Sequence, residues 1–389
     1  MTSVSGSIVL LKPYVVADNI RNKSDDEIPV YSVTRDRGFC TSFFDKDMSS
    51  DDKTTYKIVP RGHFAYNPLR ANVGSLGYQN VMDRVLVSSR YVVFKLTGDE
   101  IYPEYLELLL KSDLYLQIID AICRGSVRPE LTIYLLQKIP IRLYSVDIQK
   151  KFVENINKIT DMIERYDTLI GLYDELIKSK FNELFGDPFF FPKYSPKPFM
   201  ECMVFNPSKS EINHLDDEIL VSFVPMENIG SNGVISLNDV KQLGEVREGY
   251  SYFRDGDVIF AKITPSFENG KVAIADGCTN GLAFGTTEIH VSRPIPGVSN
   301  AVWLKYLLKS DTLRQLASNK MKGTAGQQRI QQSFFEKLSI GLPPIPIQES
   351  FAAFVQQIEK MKNDVINQRN NLIQLSKSIQ QEYFSLKKG

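Results

Sequence analysis

Two stretches of the chain repeat apolar residues every seven positions, which predicts long helices packed along a seam. In the first stretch these residues are Ile156, Ile163, Ile170, Ile177 and Leu184, with Ile159 three positions after the first of them. In the second they are Ile358, Val365, Leu372 and Ile379, with Met361 and Leu375 interleaved. A strict seven-residue period favours supercoiling, so we expect the two helices to pair with each other. Two amphipathic helices on separate cores are the alternative.

The chain also repeats itself at long range. Leu-Leu-Lys-Ser-Asp occurs at 109–113 and again at 307–311. Three further matches follow in the same order and at nearly the same offset: 125–126 with 323–324, 138–141 with 337–340, and 148–152 with 347–351. An ordered series of this kind indicates a duplicated unit of about 200 residues, which is far longer than a solenoid repeat.

Each copy begins with short predicted strands and ends with the long helix. The strands are expected at 30–33, 58–59, 64–66 and 85–94, and at 258–264, 271–275 and 287–292. Packed helices are expected at 104–122 and 303–320, and Gly186 followed by Pro188 predicts the end of the first long helix. The predicted class is α+β, with strand-rich domains at 1–147 and 199–345, long helices at 148–186 and 346–389, and a linker at 187–198.

Composition narrows the class of protein. The 389 residues are 43% hydrophobic and 24% charged, with 46 basic and 46 acidic side chains, values typical of a soluble globular protein. Four scattered cysteines and three histidines predict neither a disulfide framework nor a metal site. The opening residues lack the pattern of a secretory signal, and no window has the apolar length of a membrane span. We therefore expect a cytoplasmic protein.

Motifs for catalysis are absent from the sequence. It contains no phosphate-binding loop, no dinucleotide fingerprint and no nucleophile elbow. Asn67-Pro68-Leu69 and Asp187-Pro188-Phe189 each lack the second proline of an amino-methyltransferase motif. We expect no catalytic residue in this chain.

Polar segments at comparable places in both copies suit nucleic acid instead. Arg and Lys can contact guanine, Asn and Gln can contact adenine, and small hydroxyls suit phosphate. In the first copy the candidates are Arg35, Arg37, Asn67, Arg70, Asn72, Ser75, Arg124 and Arg128. In the second copy they are Lys262, Thr264, Ser266, Asn269, Lys271, Lys320, Lys322, Thr324, Gln327, Gln328 and Arg329. Ordinary polar turns are the alternative for any one of these segments.

Local charge differs between the copies. Residues 301–342 hold seven Lys or Arg and two acids, a net charge of +5, whereas residues 103–143 hold five of each. Electrostatic attraction to phosphate is therefore expected to be unequal between the two halves.

These features together resemble the DNA-specificity subunit of type I restriction-modification systems, over essentially the whole chain. The resemblance depends on the duplicated layout and on local matches: 30–39 with 64–75, 256–271, 323–328, 342–349, and Leu184-Phe-Gly-Asp187 closing the first helix. It implies two target-recognition domains that each read one half of a bipartite DNA site, with the long helices forming an antiparallel coiled coil between them. It also implies two adenine-N6 methyltransferase subunits and motor-nuclease subunits as partners. S-adenosylmethionine, ATP and Mg²⁺ would bind only to those partners.

The copies depart from each other where the family motifs lie. The second has Gly326-Gln327-Gln328-Arg329 where the first has Arg128-Pro129-Glu130-Leu131. This divergence predicts an asymmetric target. A specificity chain of a type IIB-like methylase-nuclease and a coiled-coil scaffold for protein partners remain as alternatives.

The helices have a length that suits a spacer. Residues 151–186 as one helix would span about 54 Å at ~1.5 Å per residue, or roughly one and a half turns of duplex DNA at ~34–36 Å per turn. The half-sites are therefore expected to flank unread base pairs.

Overall fold

The structure is a computed structural model that describes residues 6–24, 26–41, 53–124, 130–318, 320–324 and 327–386. Its contacts group the chain into two compact units. The first is formed by Met1–Asp167 with Asn367–Gly389, and the second by Thr168–Ile366. Each long helix thus contributes one part to each unit. This grouping follows contacts alone, so the recognition-domain bounds drawn from the sequence stay a prediction.

The helical content is dominated by two helices of 40 residues, Val146–Phe185 and Ile345–Phe384. Gly186 follows the first with a φ of +67°, the left-handed conformation that glycine adopts most easily at a helix end. The shorter helices of the first unit are Pro103–Lys111, Asp113–Cys123 and Ile133–Leu136. Those of the second are Leu243–Val246, Ala301–Leu308, Asp311–Ser318 and Gln332–Phe335.

The strands of the first unit form small antiparallel sheets. In spatial order, the four-stranded sheet is Val15–Ala17, Val92–Leu96, Phe64–Tyr66 and Leu76–Tyr78. A three-stranded sheet is Ile20–Arg21, Lys57–Pro60 and Arg84–Val87. Two-stranded pairs join Ser7–Leu10 to Pro140–Leu143 and Ser32–Thr34 to Gly38–Cys40. The stretch predicted as one strand at 85–94 is two strands, because the chain turns where the Tyr91 N–H donates to the Ser88 carbonyl.

The second unit repeats the central sheet. Its order is Met203–Phe205, Ile289–Pro294, Val258–Ala261 and Val272–Ile274, the same sequence of neighbours as in the first unit. A second four-stranded sheet, which is partly parallel, is Val240–Gln242, Leu220–Val224, Leu282–Gly285 and Ser251–Arg254. Two-stranded pairs join Gly186–Asp187 to Phe191–Pro192 and Pro196–Pro198 to Ser339–Gly341. The α+β class and the tandem plan predicted from the sequence are confirmed.

The sequence predicted that the repeated pentapeptide lies within one helix. In the structure it is a break between two helices. The Ser112 side chain accepts from the Tyr115 N–H and caps the helix that follows, and Ser310 does the same for Leu313. The aspartate that follows lies in the first turn, where its negative charge stabilises the N-terminus of the helix. The single helices predicted at 104–122 and 303–320 are therefore two helices each.

The aspartate of each pentapeptide also contacts a long helix. Asp311 pairs with Lys178 at 2.9 Å, and Asp113 lies 3.9 Å from Lys377. The two lysines are equivalent in the repeat. These contacts give the repeated motif a second structural role.

Each unit has one main core in which both long helices take part. In the first, Phe152 and Ile156 of the first helix pack with Phe384 of the second; the rings of Phe152 and Phe384 are 5.1 Å apart. In the second, Phe185 packs with Phe351, with ring centroids 5.4 Å apart. The early part of one helix thus meets the late part of the other, and the segments run antiparallel within each unit.

The seam of the first long helix follows the predicted spacing. Ile156 and Ile177 are buried, and the other predicted positions are partly buried: Ile159, Ile163, Ile170 and Leu184. In the second helix Ile358 and Val365 are buried, with Leu372 and Ile379 partly so.

Two residues predicted on the second seam lie outside it. Met361 is 44% exposed and Leu375 is 49% exposed. The interleaved position falls one residue later, where Lys362 pairs with Asp174 and Arg369 with Asp167 of the first helix. The aliphatic parts of these long charged side chains cover the seam. A pattern of apolar residues alone therefore identifies the wrong seam positions.

Candidate functional site

The two polar segments predicted in the second copy come together in the structure. The Thr264 N–H donates to the Gln328 carbonyl at 2.9 Å, and the Gln328 N–H donates to the Thr264 hydroxyl at 2.9 Å. The Ile330 N–H donates to the Lys262 carbonyl at 2.9 Å. The segment 327–330, here called the glutamine loop, is therefore fixed to the end of the strand Val258–Ala261.

Gly323, just before the glutamine loop, allows the backbone to lie close to Gln327. Gly323 has a φ of +136°, and a Cβ at this position would lie 2.6 Å from the Gln327 carbonyl oxygen. A larger residue would force Gln327 to move. The Gly323-Thr324 match between the copies thus has a steric meaning in the second unit.

Charged side chains meet at the same strand ends. The Lys262 N–H donates to the Glu288 carbonyl at 2.9 Å. The Glu288 carboxylate accepts from Arg329 through Nε at 2.9 Å and through Nη2 at 2.9 Å. The hydrogen bond from Arg329 holds the pKa of Glu288 below its usual value. Among the described residues, the Lys262 side chain has no hydrogen-bond or ion-pair partner.

The other candidates of the second unit surround this point. Thr264 is 8% exposed and uses its hydroxyl within the site, and the Lys271 ammonium donates to the Met226 carbonyl at 2.9 Å. Ser266 and Gln328 are partly buried. Five candidates are exposed: Asn269, Lys320, Lys322, Thr324 and Gln327. Lys322 pairs through its backbone with Arg329.

A buried histidine, His290, forms a hydrogen bond to the backbone of the glutamine loop. His290 Nε2 lies 3.0 Å from the Ile330 carbonyl, to which it donates, and Nδ1 accepts from the Asn206 amide at 3.3 Å. Burial lowers the pKa of His290 to about 4. The ring is therefore neutral at physiological pH and ties the strand Ile289–Pro294 to the loop.

This histidine predicts a loss of stability in mild acid. The unfolded chain binds a proton near pH 6.5 and the folded chain only near pH 4, so the contribution is complete above about 6.5 and is lost as the pH falls. We expect the second unit to lose about 2 kcal/mol between pH ~7 and pH ~5. Fluorescence of Trp303, the single tryptophan and buried in this unit, would follow urea unfolding at each pH. In His290→Gln the decline over this window should be absent, and an unchanged decline would refute its assignment to His290.

In the first unit, several of the predicted DNA-binding residues pair with acidic side chains. Arg35 pairs with Asp113 at 2.6 Å. Asp120 accepts from Asn72 at 3.1 Å and pairs with Arg124 at 2.5 Å. The hydrogen bond from Asn72, followed by that from Arg124, lowers the pKa of Asp120. Three of the predicted DNA contacts are thus engaged with one helix, Asp113–Cys123.

The remaining candidates of the first unit differ in how accessible they are. Ser75 is 7% exposed, and its hydroxyl donates to the Val33 carbonyl at 2.7 Å, so it acts structurally in this conformation. The Asn67 side chain accepts from the Leu69 N–H at 3.1 Å. Arg37 and Arg70 are exposed, and their side chains have no partner among the described residues. Arg128 lies outside the described residues.

Comparison with known proteins finds a family model that matches most of the second unit. Residues 204–375 match the family model described as the type I restriction modification DNA specificity domain. This part of the chain is thus similar to a type I DNA specificity domain. The matched residues include both segments that meet at the glutamine loop, and the resemblance seen in the sequence is confirmed.

Curated relatives support the same family. The chain is 42% identical over 146 residues to the EcoEI specificity subunit and 41% identical over 140 residues to the EcoAI specificity subunit, both type I restriction enzymes of Escherichia coli. These matches cover 37% and 36% of this chain. The chain spans about a quarter of the length of these relatives, since each match covers 24% of the relative.

Solved structures share the fold along the whole chain. A chain from a study of assembly and conformational transition of the type I R-M system is 15% identical with a TM-score of 0.57, and the match covers 98% of both chains. The type I restriction-modification S subunit of M. genitalium is 11% identical with a TM-score of 0.53, covering 100% of this chain and 98% of the other. At these identities the likeness concerns the fold.

The matched region contains a functional candidate, Glu288, that the sequence analysis missed. Glu288 was not selected because a lone acid after two threonines has no motif. Its position could have been found by pairing the predicted strands at 258–264 and 287–292, which places Glu288 beside Lys262.

The described residues contain no group of three or more His, Cys, Asp or Glu side chains arranged to hold a metal ion. Within the same residues, no helix combines the length and apolar character needed to cross a membrane.

Proposed function

We propose that this chain is the specificity subunit of a type I restriction-modification system. It binds duplex DNA in the cytoplasm, reads a bipartite and asymmetric target, and directs adenine-N6 methylation and restriction by partner subunits. The chain itself has no catalytic role. S-adenosylmethionine, ATP and Mg²⁺ serve two methyltransferase subunits and the motor-nuclease subunits.

The observation that carries this proposal is the glutamine loop held beside Lys262 within a region similar to a type I DNA specificity domain. The loop backbone is fixed by hydrogen bonds, whereas the side chains of Lys262, Gln327 and Gln328 have no partner among the described residues. Lysine can contact guanine and glutamine can contact adenine in the major groove. A rigid support that carries unpaired side chains of these types favours recognition of bases.

The difference between the units supports an asymmetric target. In the first unit Arg37 and Arg70 are the candidates whose side chains have no described partner, while Arg35, Asn72 and Arg124 contact acids. The second unit presents glutamines and lysines instead. Two unlike sets of side chains suit two unlike half-sites.

The experiment that tests this proposal is single-molecule sequencing of genomic DNA from cells with and without the gene, expressed together with its neighbouring methylase. A bipartite N6-methyladenine motif that appears only with this chain is expected. An active methylase that gains no motif would overturn the proposal and favour a protein-binding scaffold. A methylase and nuclease fused in one neighbouring gene would indicate a type IIB-like system.

Lys262→Ala tests direct base recognition. We expect relaxed specificity at one position of one half-site and a loss of about 1–3 kcal/mol for the intact target. Binding of the methyltransferase complex to duplexes substituted one base pair at a time measures both effects. Lys271→Ala is the matched control, since its ammonium already donates to the Met226 carbonyl and specificity should persist. Equal weakening on every duplex would assign Lys262 to phosphate.

Insertion of one heptad into both long helices tests their role as a spacer. Seven residues add about 10 Å at ~1.5 Å per residue, which is about three base pairs. The tolerated spacer in the methylated motif should grow by about this amount, while both half-sites stay unchanged. Insertion of four residues, which breaks the seven-residue phase, is the control and should abolish methylation. An unchanged spacer in the heptad variant would reject the role.

A further inference from the structure

We propose that Glu288 is a positioning residue for sequence recognition: it holds Arg329, fixes the glutamine loop, and withholds the Arg329 charge from DNA. This inference rests on the proposed function. It assigns different roles to cations and amides that look equivalent in the amino-acid composition.

The geometry of Arg329 shows that its guanidinium is already engaged. Nε donates to both carboxylate oxygens of Glu288, at 3.1 and 2.9 Å, and Nη2 donates to one of them at 2.9 Å. Nη1 donates to the Gln327 carbonyl at 3.2 Å. Three of the five guanidinium N–H groups are thus used, and the side of the guanidinium formed by Nε and Nη2 is closed to a bidentate contact with guanine while it holds the carboxylate.

Arg329 links its own backbone to three others. Its side chain reaches the start of the strand Ile289–Pro294 through Glu288 and the Gln327 carbonyl through Nη1. Its own N–H and carbonyl pair with Lys322 at 2.8 and 3.0 Å. Arg329 therefore fixes the direction in which Gln327 and Gln328 leave the loop. Residues that aim others in this way raise specificity without touching a base.

The charge of Glu288 has a separate consequence. Arg329 pairs through its backbone with Lys322 and with Ile263, the neighbour of Lys262, in the copy with the basic excess. An unpaired arginine there would add one phosphate contact on any sequence, since attraction to phosphate carries no sequence information. Pairing with Glu288 removes that contribution, so it favours discrimination over general affinity.

Glu288→Gln in the full chain, assembled with its methyltransferase partners, tests both effects. On a duplex of random sequence, one released cation should steepen the salt dependence of log K by about 0.9, or about three-fold more loss of affinity between 50 and 200 mM salt. In cells, methylation at sites with one mismatched base should rise roughly ten-fold relative to the intact motif. A role limited to folding would lower the unfolding midpoint but leave the salt slope unchanged.

Matched variants separate the outcomes. Glu268→Gln removes an exposed acid of the same unit, with no described side-chain partner, and should keep the wild-type slope and specificity. Glu288→Gln with Arg329→Gln should return the slope to the wild-type value, and the reversed pair Glu288→Arg with Arg329→Glu should restore specificity. An unchanged slope and specificity in Glu288→Gln would overturn this inference while specific binding by the wild type upholds the proposed function. A wild-type complex that binds no duplex would overturn both.

Discussion

Replacement of Asp257 by asparagine should destabilise the second unit by about 3–5 kcal/mol, because it leaves a buried guanidinium without its main counterion. Asp257 is 1% exposed and accepts from Arg293 Nε at 2.7 Å and Nη2 at 2.9 Å. Arg293 is 8% exposed. The urea midpoint of Trp303 fluorescence measures the change.

This pair lies on the same two strands as the candidate site, at their opposite end. Asp257 and Arg293 face each other at one end of the strands Val258–Ala261 and Ile289–Pro294, whereas Lys262 and Glu288 face each other at the other end. The other acidic partner of Arg293 among the described residues is Glu211, at 2.6 and 2.8 Å, whose side chain is 37% exposed. That carboxylate is screened by water and cannot replace Asp257.

Asp217→Asn provides the matched control for burial. Asp217 also pairs with an arginine, Arg247, at 2.7 Å, but its side chain is 67% exposed. An exposed ion pair contributes about 0–1 kcal/mol, so the control should shift the midpoint little. Equal shifts in the two variants would show that burial does not determine the strength of this pair. A double variant, Asp257→Leu with Arg293→Met, should recover much of the lost stability, since no buried charge is left unpaired.

The sequence predicted the parts of the fold that depend on apolar periodicity and on repetition. The two long helices, the first seam and the duplicated order of elements follow directly from residue spacing. The second seam shows the limit of this reasoning. Lys362 and Arg369 occupy seam positions, and an apolar pattern cannot identify positions where a charged side chain packs by its stem and pairs at its tip.

The sequence predicted some residues of the candidate site but not the contacts between them. Loop composition identified Lys262, Thr264 and Gln328, but not that hydrogen bonds join their segments. Nor could it distinguish Arg329, engaged by Glu288, from Lys262, whose side chain has no described partner. That distinction depends on which acid lies opposite in a sheet, and it requires the register of strands that are distant in the chain.

Gln149→Leu and Gln348→Leu should each destabilise their own unit by about 2–4 kcal/mol, because each leaves one buried and two partly buried backbone groups without their partner. Both glutamines are fully buried. Gln149 accepts from the Tyr102 N–H at 2.8 Å and donates to the Glu100 and Tyr144 carbonyls, both at 2.8 Å.

Gln348 makes the equivalent set of bonds in the second unit. It accepts from the Asn300 N–H at 2.9 Å and donates to the Val298 carbonyl at 2.9 Å and the Pro343 carbonyl at 2.7 Å. In both units the glutamine joins the start of a long helix to the segment before it and to the loop that opens the packed helix pair. The repeated Ile-Gln dipeptide is visible in the sequence, but its role is not, because its partners are backbone groups, which every residue has and which leave no signal in the sequence.

Gln137→Leu is the matched control, since its partly buried amide donates one bond, to the Val15 carbonyl at 3.1 Å. A single bond of this kind contributes about 1 kcal/mol. Trp303 fluorescence reports unfolding of the second unit in Gln348→Leu, and far-UV circular dichroism follows Gln149→Leu. If the buried glutamine joins the long helix to its domain, each variant should also expose the start of its own long helix to amide hydrogen exchange. Loss of stability no larger than in Gln137→Leu would mean that water replaces the glutamine, and the duplicated bonds would then contribute geometry rather than stability.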